Sequence, residues 1–280
     1  MCMPVPSSCG DNPTFFRLLG PMEVGAASRP LPMRAVRQKC ILAMLLLNAN
    51  RVVPRECLIN AVWGAQSPPT SRSQVHICIS QLRHKLAEAL HDGHGIETQP
   101  YGYVLHIEPG DLDVEVFRQK TAAADLAQDR GRLEQAVELY RAAVALWRGP
   151  ALSDLESEVL RGAAAQLDEE RIAADEKRIE LELRLGRHRA LVHELTGLVV
   201  RHPLNELLNG YLMTALYRSG RQADALASYQ RTRSRLAEEL GLEPGRELRA
   251  LERAILRHDD SLVADGDVPC RSWDGQHGRP

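Results

Sequence analysis

Between residues 34 and 107 the apolar positions change period several times, and each change marks an element. Residues 34–48 carry Ile41, Leu42, Met44, Leu45 and Leu46 in a dense run, as in a helix buried over most of its surface. Residues 54–63 return to helical spacing, with Pro54 at a first-turn position and Gly64 at the stop. In the third segment Val75, Cys78, Ile79, Leu82 and Leu86 recur every three or four residues and form one stripe. The loop before it, residues 64–71, holds two prolines and offers Thr70 or Ser71 as the N-cap. After it, residues 96–98 and 103–107 pair as a hairpin closed by Gly102 between Tyr101 and Tyr103. Upstream, residues 15–19, 22–24 and 29–33 are short pieces separated by Gly and Pro, as in small antiparallel strands.

Opposite the apolar stripe of the third helix lie Ser73, Ile77, Ser80 and His84, with Gln74, His76 and Gln81 around them and Arg83 and Lys85 at the flanks. Glutamine pairs with adenine through a donor and an acceptor, serine reads either edge, and an exposed isoleucine meets a thymine methyl. Arginine and lysine neutralise phosphates. A solvated helix face has the same composition, so the face alone does not decide. Three helices followed by a hairpin do: the order is that of a helix-turn-helix with a wing, which points to DNA.

At Glu108-Pro109-Gly110-Asp111 the composition shifts. The next 150 or so residues are rich in Ala, Leu, Arg and Glu, which predicts an almost wholly helical region. Helices are expected at 113–129, 132–147, 154–185, 188–201, 204–218, 222–240 and 244–258. An internal repeat runs through them. Gly131-Arg132 precedes Ala136 and Tyr140, and Gly220-Arg221 precedes Ala225 and Tyr229 at the same offsets. Gly186-Arg187, with Leu191 and Leu195, begins a degenerate copy 34 residues before Gly220, the tetratricopeptide period. Tyr140, Trp147, Tyr211, Tyr217 and Tyr229 are expected to fill interhelical space, and Asp168-Glu169-Glu170 to pair at the surface with Arg171.

The net charge of −2 conceals an asymmetry. Residues 14–107 hold about ten Lys/Arg against about five Asp/Glu, and residues 111–260 about 23 against about 27. Only the first part suits a polyanion, and modestly, so salt-sensitive yet selective binding is expected. No phosphate-binding loop is present, because the stretch GRHRALVHELTG lacks the Gly-Lys-Ser/Thr ending. His188 and His193 fall on different helix faces and no CxxC pair occurs, so neither metal nor cofactor is expected, and the chain is not read as an enzyme. Cys40, Cys57 and Cys78 are read as buried thiols, with Cys2, Cys9 and Cys270 in tails, which fits a reduced cytoplasm. Residues 1–13 and 259–280 lack periodicity and are expected to be disordered. The start has neither a basic nor an apolar signal-peptide segment, and no run approaches the roughly 18 apolar residues of a membrane span.

The segments FRLLGPMEV, RAVRQKCILAMLLLNANRVVPRECLINAVWG, VHICISQLRHKL and YGYVLHIEPGDLDVEVF, with the helical region ending ALASYQRTRSRLAEELGLEPGRELRALERAIL, resemble the Streptomyces antibiotic regulatory proteins. The resemblance spans about residues 14–258. It implies a mainly α fold with a small β component: an OmpR-type winged helix-turn-helix at 14–109, then an all-α, tetratricopeptide-like bacterial transcriptional activation domain at 110–258. In that family the third helix enters the major groove and the wing approaches the adjacent minor groove or its phosphates. Carried over by position, the implied DNA contacts are Ser73, Gln74, His76, Ile77, Ser80, Gln81, Arg83 and His84, with Thr98 and Gln99 at the wing. Arg72, Lys85 and Tyr101 flank them. Relatives often carry Arg or Lys at the equivalents of Ser80 or Gln81, where this chain is neutral. The implied function is transcriptional activation, with two protomers on promoter direct repeats near the −35 element, contacting RNA polymerase and its sigma factor. The loop residues Trp63, Gly64, Ala65, Gln66 and Ser67 are the implied polymerase-facing element, and the implied target is an antibiotic or secondary-metabolite gene cluster. Two other readings stay open: a helical-repeat adaptor that binds protein, and a regulator gated by a pathway metabolite of unknown identity.

Overall fold

The computed structural model describes residues 14–26, 29–89, 94–259 and 262. The tails expected at 1–13 and 259–280 lie outside that set apart from Asp259 and Leu262, as do Cys2, Cys9 and Cys270. The chain forms two compact units, residues 1–122 with 142–171 and residues 123–141 with 172–280.

In the first unit, β1 (Thr14–Arg17), β2 (Glu23–Ala26) and β3 (Arg29–Pro30) make a three-stranded antiparallel sheet in sequence order. Then come α1 (Val36–Leu47), β4 (Val53–Pro54), α2 (Arg55–Trp63), α3 (Ser71–Ala89) and the hairpin β5 (Gly95–Gln99) and β6 (Gly102–His106). Strand β4 adds to the hairpin in the order β4-β6-β5, with Val53 opposite Tyr103 and Thr98 also opposite Tyr103. The stripe expected on α3 is buried, from Val75 to Leu86, and packs against Ile41, Leu42, Leu45, Leu58 and Ala61, the buried side chains of α1 and α2.

Three expectations need correction. Pro54 does not open the helix: it is the N-cap of α2 and at the same time the end of β4, where it pairs with Gly102. Gly102 does not close the hairpin, since the turn falls at Pro100-Tyr101 and Gly102 is the first residue of β6. Cys57 is exposed, unlike Cys40 and Cys78, because it lies at the edge of the arc of α2 that Leu58, Ile59 and Ala61 bury.

The first unit also takes in chain from beyond residue 109. The carboxylate of Asp113, at the start of α4 (Asp113–Asp129), accepts from the N–H of Leu18 at 2.8 and 3.0 Å and of Leu19 at 3.0 Å. Residues 145–157, between α5 (Leu133–Val144) and α6 (Glu158–Arg184), are not helical, although helix was expected over 145–147 and 154–157. Leu146 and Trp147 bond back three residues, tightening the end of α5 before Gly149-Pro150. Asp154 accepts from the Met22 N–H at 2.8 Å and pairs with Lys39 at 2.5 Å, and the Ser157 hydroxyl donates to the Ala61 carbonyl at 2.6 Å. These side chains satisfy backbone groups of the connection before β2 and of α2, and Ser157 also caps α6, its hydroxyl accepting from the Leu160 N–H at 3.4 Å. Phe117 and Trp147 meet edge to face at 5.7 Å, and Arg171 lies over the Trp147 ring. Arg171 therefore does not pair with its acidic neighbours; Glu170 takes a two-bond ion pair from Arg118 and Asp168 accepts from Ala151 N–H.

The second unit completes the helices with α7 (His188–Arg201), α8 (Glu206–Arg218), α9 (Gln222–Leu240) and α10 (Arg246–Leu256). The repeat read from the sequence has a uniform corner. Gly131, Gly186 and Gly220 all have φ of 72° to 76°, a conformation that costs glycine little. In each, the following arginine N–H reaches the carbonyl five residues back, at Ala127, Glu182 and Leu216. That is a Schellman end. The residues at the repeat offsets, Ala136, Tyr140, Leu191, Leu195, Ala225 and Tyr229, are all buried. The same unit holds a charged cluster: buried Arg178 pairs with Asp175, Glu182 and Glu194, and Glu182 also takes Arg141. Burial opposes the charge on Arg178, but Glu194 and Asp175 outweigh it and hold the guanidinium still more firmly protonated. A buried charge is tolerable only with partners on this scale.

Candidate nucleic-acid interface

The sequence pattern that buries one side of α3 necessarily leaves the other side to solvent, and the residues expected there are where the pattern puts them. Arg72, Ser73, His76, Ile77, Ser80, Gln81 and His84 are exposed, and Gln74, Arg83 and Lys85 half-buried. Ile77 keeps 54 % of its surface open within an otherwise polar face. At the wing, Thr98 is exposed, Gln99 partly so, and Tyr101 stands 82 % exposed at the turn. One helix face and one hairpin tip thus hold all thirteen residues singled out for DNA.

Their hydrogen bonds distinguish them. Arg83 turns back on the wing, donating from Nε to the Ile96 carbonyl at 2.7 Å and from Nη2 to Thr98 Oγ1 at 2.6 Å. The expected phosphate ligand is therefore also a strap between α3 and β5. Arg72 meets Glu56 at 3.2 Å, both well exposed, and His84 meets Glu88 one turn on at 3.2 Å. Exposed pairs of this kind are worth little and are exchangeable for other partners. Gln99 donates to Glu97, and Glu97 also takes His106.

Helix α1 supports this face through residues that its apolar periodicity hides. Arg37 donates to Gln74 Oε1 at 2.6 Å and lies over the Trp63 ring, and Gln38, buried within α1, bonds both Gln81 and Lys85. Arg55, the first residue of α2, donates to the Pro100 carbonyl at 3.3 Å and lies over Tyr103, so a cation stands beside the wing turn. None of the three was visible to a reading confined to the third helix; the available signal was only their polarity at helix beginnings.

The loop after α2 is shaped by Gly64, whose φ of 58° and ψ of −141° end the helix with its N–H on the Asn60 carbonyl. Ala65, Gln66 and Ser67 follow, exposed, while Trp63 is held partly under Arg37. Elsewhere in the first unit a cavity of about 260 Å³ opens among Met44, Leu47, Asn48, Arg118, Leu160 and Leu167. It is smaller than common small-molecule pockets, and its charged group is committed to Glu170. Among the described residues no group of three or more His, Cys, Asp or Glu is placed to hold a metal ion. No helix among them is long and apolar enough to cross a membrane.

Two family models match the chain: the C-terminal domain of transcriptional regulatory proteins over residues 35–105 and the bacterial transcriptional activator domain over residues 112–256. Regulatory protein DnrI of Streptomyces peucetius is 35 % identical over 262 residues, an alignment covering 91 % of this chain and 96 % of that one. Regulatory protein AfsR of Streptomyces griseus is 36 % identical over 254 residues, covering 91 % of this chain but 26 % of that one. Among solved structures, Mycobacterium tuberculosis EmbR in complex with a low-affinity phosphopeptide superposes with a TM-score of 0.83 at 36 % identity, covering 90 % of this chain and 69 % of that one. The winged helix followed by a helical activator domain is thus shared with regulators of transcription, and both domains fall on the parts of the chain that carry them here.

Proposed function

The chain belongs to the Streptomyces antibiotic regulatory protein family of DNA-binding transcriptional regulators, and from that premise we propose how it activates a promoter. Helix α3 lies in the major groove, with Ser73, Gln74, His76, Ile77, Ser80, Gln81 and His84 towards the bases and Arg72 and Lys85 towards phosphates. The wing, through Thr98, Gln99 and Tyr101, meets the adjacent minor groove or its backbone, with Arg83 serving both. Two protomers occupy direct repeats about one helical turn apart, near the −35 element. The loop from Trp63 through Gly64, Ala65, Gln66 and Ser67 then faces RNA polymerase and its sigma factor. The regulated genes are those of an antibiotic or secondary-metabolite pathway.

The observation that carries this reading is the exposed, hydrogen-bonding face of α3, with its cations at the flanks, fastened to the wing by Arg83. Such a face leaves selection to base edges, while the basic excess of residues 14–107 supplies a modest salt-dependent attraction. The test is selection of genomic fragments by the purified chain at two salt concentrations. A direct repeat upstream of a biosynthetic promoter, enriched at both and lost in Gln81→Ala with Ser80→Ala, is the expected result. Binding indifferent to sequence, or none, would sink it.

A further inference from the structure

Gln81 is not at liberty to choose which end of its amide it presents. Lys85 Nζ donates to Gln38 at 2.7 Å, and an ammonium has three donors and no acceptor, so Gln38 must turn its Oε1 to it. The other arm of that amide is Nε2, a donor, and it meets Gln81 at 2.6 Å. Gln81 must therefore receive it on Oε1. Gln38 is only 6 % exposed, which shields this chain of bonds from competing water. The polarity runs from Lys85 through Gln38 to Gln81, and leaves the two N–H groups of Gln81 Nε2 without a partner among the described residues, on an exposed side chain. Gln74 is fixed in the same sense and further: Arg37, also donor-only, occupies its Oε1, and its Nε2 is given to Thr70 Oγ1 at 2.8 Å.

We infer that Lys85, acting through Gln38, sets Gln81 as a hydrogen-bond donor to DNA, so that the chain selects a base presenting an acceptor at that position. Guanine N7 and O6, thymine O4 and adenine N7 present acceptors in the major groove, whereas cytosine presents only its N4 amine, a donor. With Oε1 turned to Gln38 Nε2, cytosine is the base selected against at that position. Gln38 and Lys85 are positioning residues, and this inference rests on the reading of α3 as the groove-facing helix.

The experiment is selection from a randomised duplex library by the full chain and three variants. Gln81→Ala identifies the position concerned by flattening its base preference. In Gln38→Glu the carboxylate accepts from both Lys85 and Gln81, so Gln81 must turn Nε2 inward and Oε1 to the DNA. Cytosine, disfavoured by the parent, is then accepted, and guanine and thymine lose preference at that position by roughly tenfold, with other positions unchanged. Lys85→Met leaves Gln38 able to turn either way and flattens the same position. A Gln38→Glu protein that melts cooperatively yet keeps the parent's base there overturns the inference. If Gln38→Glu does not fold, an unaltered preference in Lys85→Met overturns it equally. A parent that selects a motif in which Gln81→Ala changes nothing removes Gln81 as a reader while leaving the DNA-binding function standing; a parent that selects no motif removes both.

Discussion

A β-carbon at residue 102 would lie 2.0 Å from the carbonyl oxygen of Val53 and 2.7 Å from its carbon, both of them backbone. Glycine is demanded there by the strand that arrives from between α1 and α2, not by the turn that precedes it. Gly102→Ala is therefore expected to cost about 3 kcal/mol or more, because backbone cannot yield as a side-chain tip can. Urea unfolding of the variant checks the magnitude, and an unchanged midpoint would show that β4 moves aside. The same residue shows what a sequence offers at this scale. A glycine between two tyrosines announces a special backbone position, but its cause is a contact with Val53, about fifty residues upstream, which no local pattern encodes. Cys57 was misread for the converse reason: its apolar neighbours Leu58 and Ile59 are buried, and one step round the helix is enough to leave it outside.

Helix α3 and strand β5 are held as one piece by the planar guanidinium of Arg83, which spans a carbonyl and a hydroxyl that a point charge cannot reach together. Arg83→Lys keeps the charge and loses the span. It is expected to lower DNA affinity as far as Arg83→Ala does, with faster hydrogen exchange along β5 in both; restored affinity in the lysine variant would make phosphate neutralisation the role of this side chain. A second tie joins residues 145–157 to Met22, just before β2, and to α1. Burial works against ionising Asp154, but the Lys39 ammonium and the Met22 N–H outweigh it and hold the carboxyl below the usual range. A depressed folded pKa gives stability above the ordinary value of about 3.9, lost as pH falls through the folded value. Asp154→Asn should thus be less stable than the parent at neutral pH, with the gap closing below about pH 4. Denaturant midpoints across that range measure it, and a gap independent of pH would deny the charge any part. Element identity was legible wherever an apolar stripe persisted, as in α3 and in α7 to α10. It failed at residues 154–157, where Asp154 serves a distant backbone group and Ser157 caps the helix that follows.

At the scale of the whole chain, the composition change at residues 108–111 and the compact units do not fall together. The first unit draws in residues 142–171: Asp113 and Asp154 accept from the connection between β1 and β2, Asp154 also from α1, and Ser157 donates to α2. A fragment ending at residue 109 is expected to melt well below the full chain and to bind apolar dyes, because Leu18, Leu19 and Ala61 lose their partners; a cooperative fragment of undiminished midpoint would show those ties to be dispensable. The order of domains could be read from motifs and the repeat from its glycines. The exchange of chain across the boundary could not, since it depends on single polar residues with no periodicity.

Those ties also impose an order in time. Leu18 waits for a partner 95 residues downstream, Met22 for one 132 residues downstream, and Ala61 for one 96 residues downstream. On a ribosome adding about 5 to 20 residues per second, the interval between the end of the wing and the appearance of residue 171 is roughly 3 to 13 s. For that interval Leu18, Met22 and Ala61 have their backbone groups still unpaired, so the winged helix is expected to complete its packing only after the chain behind it has been made.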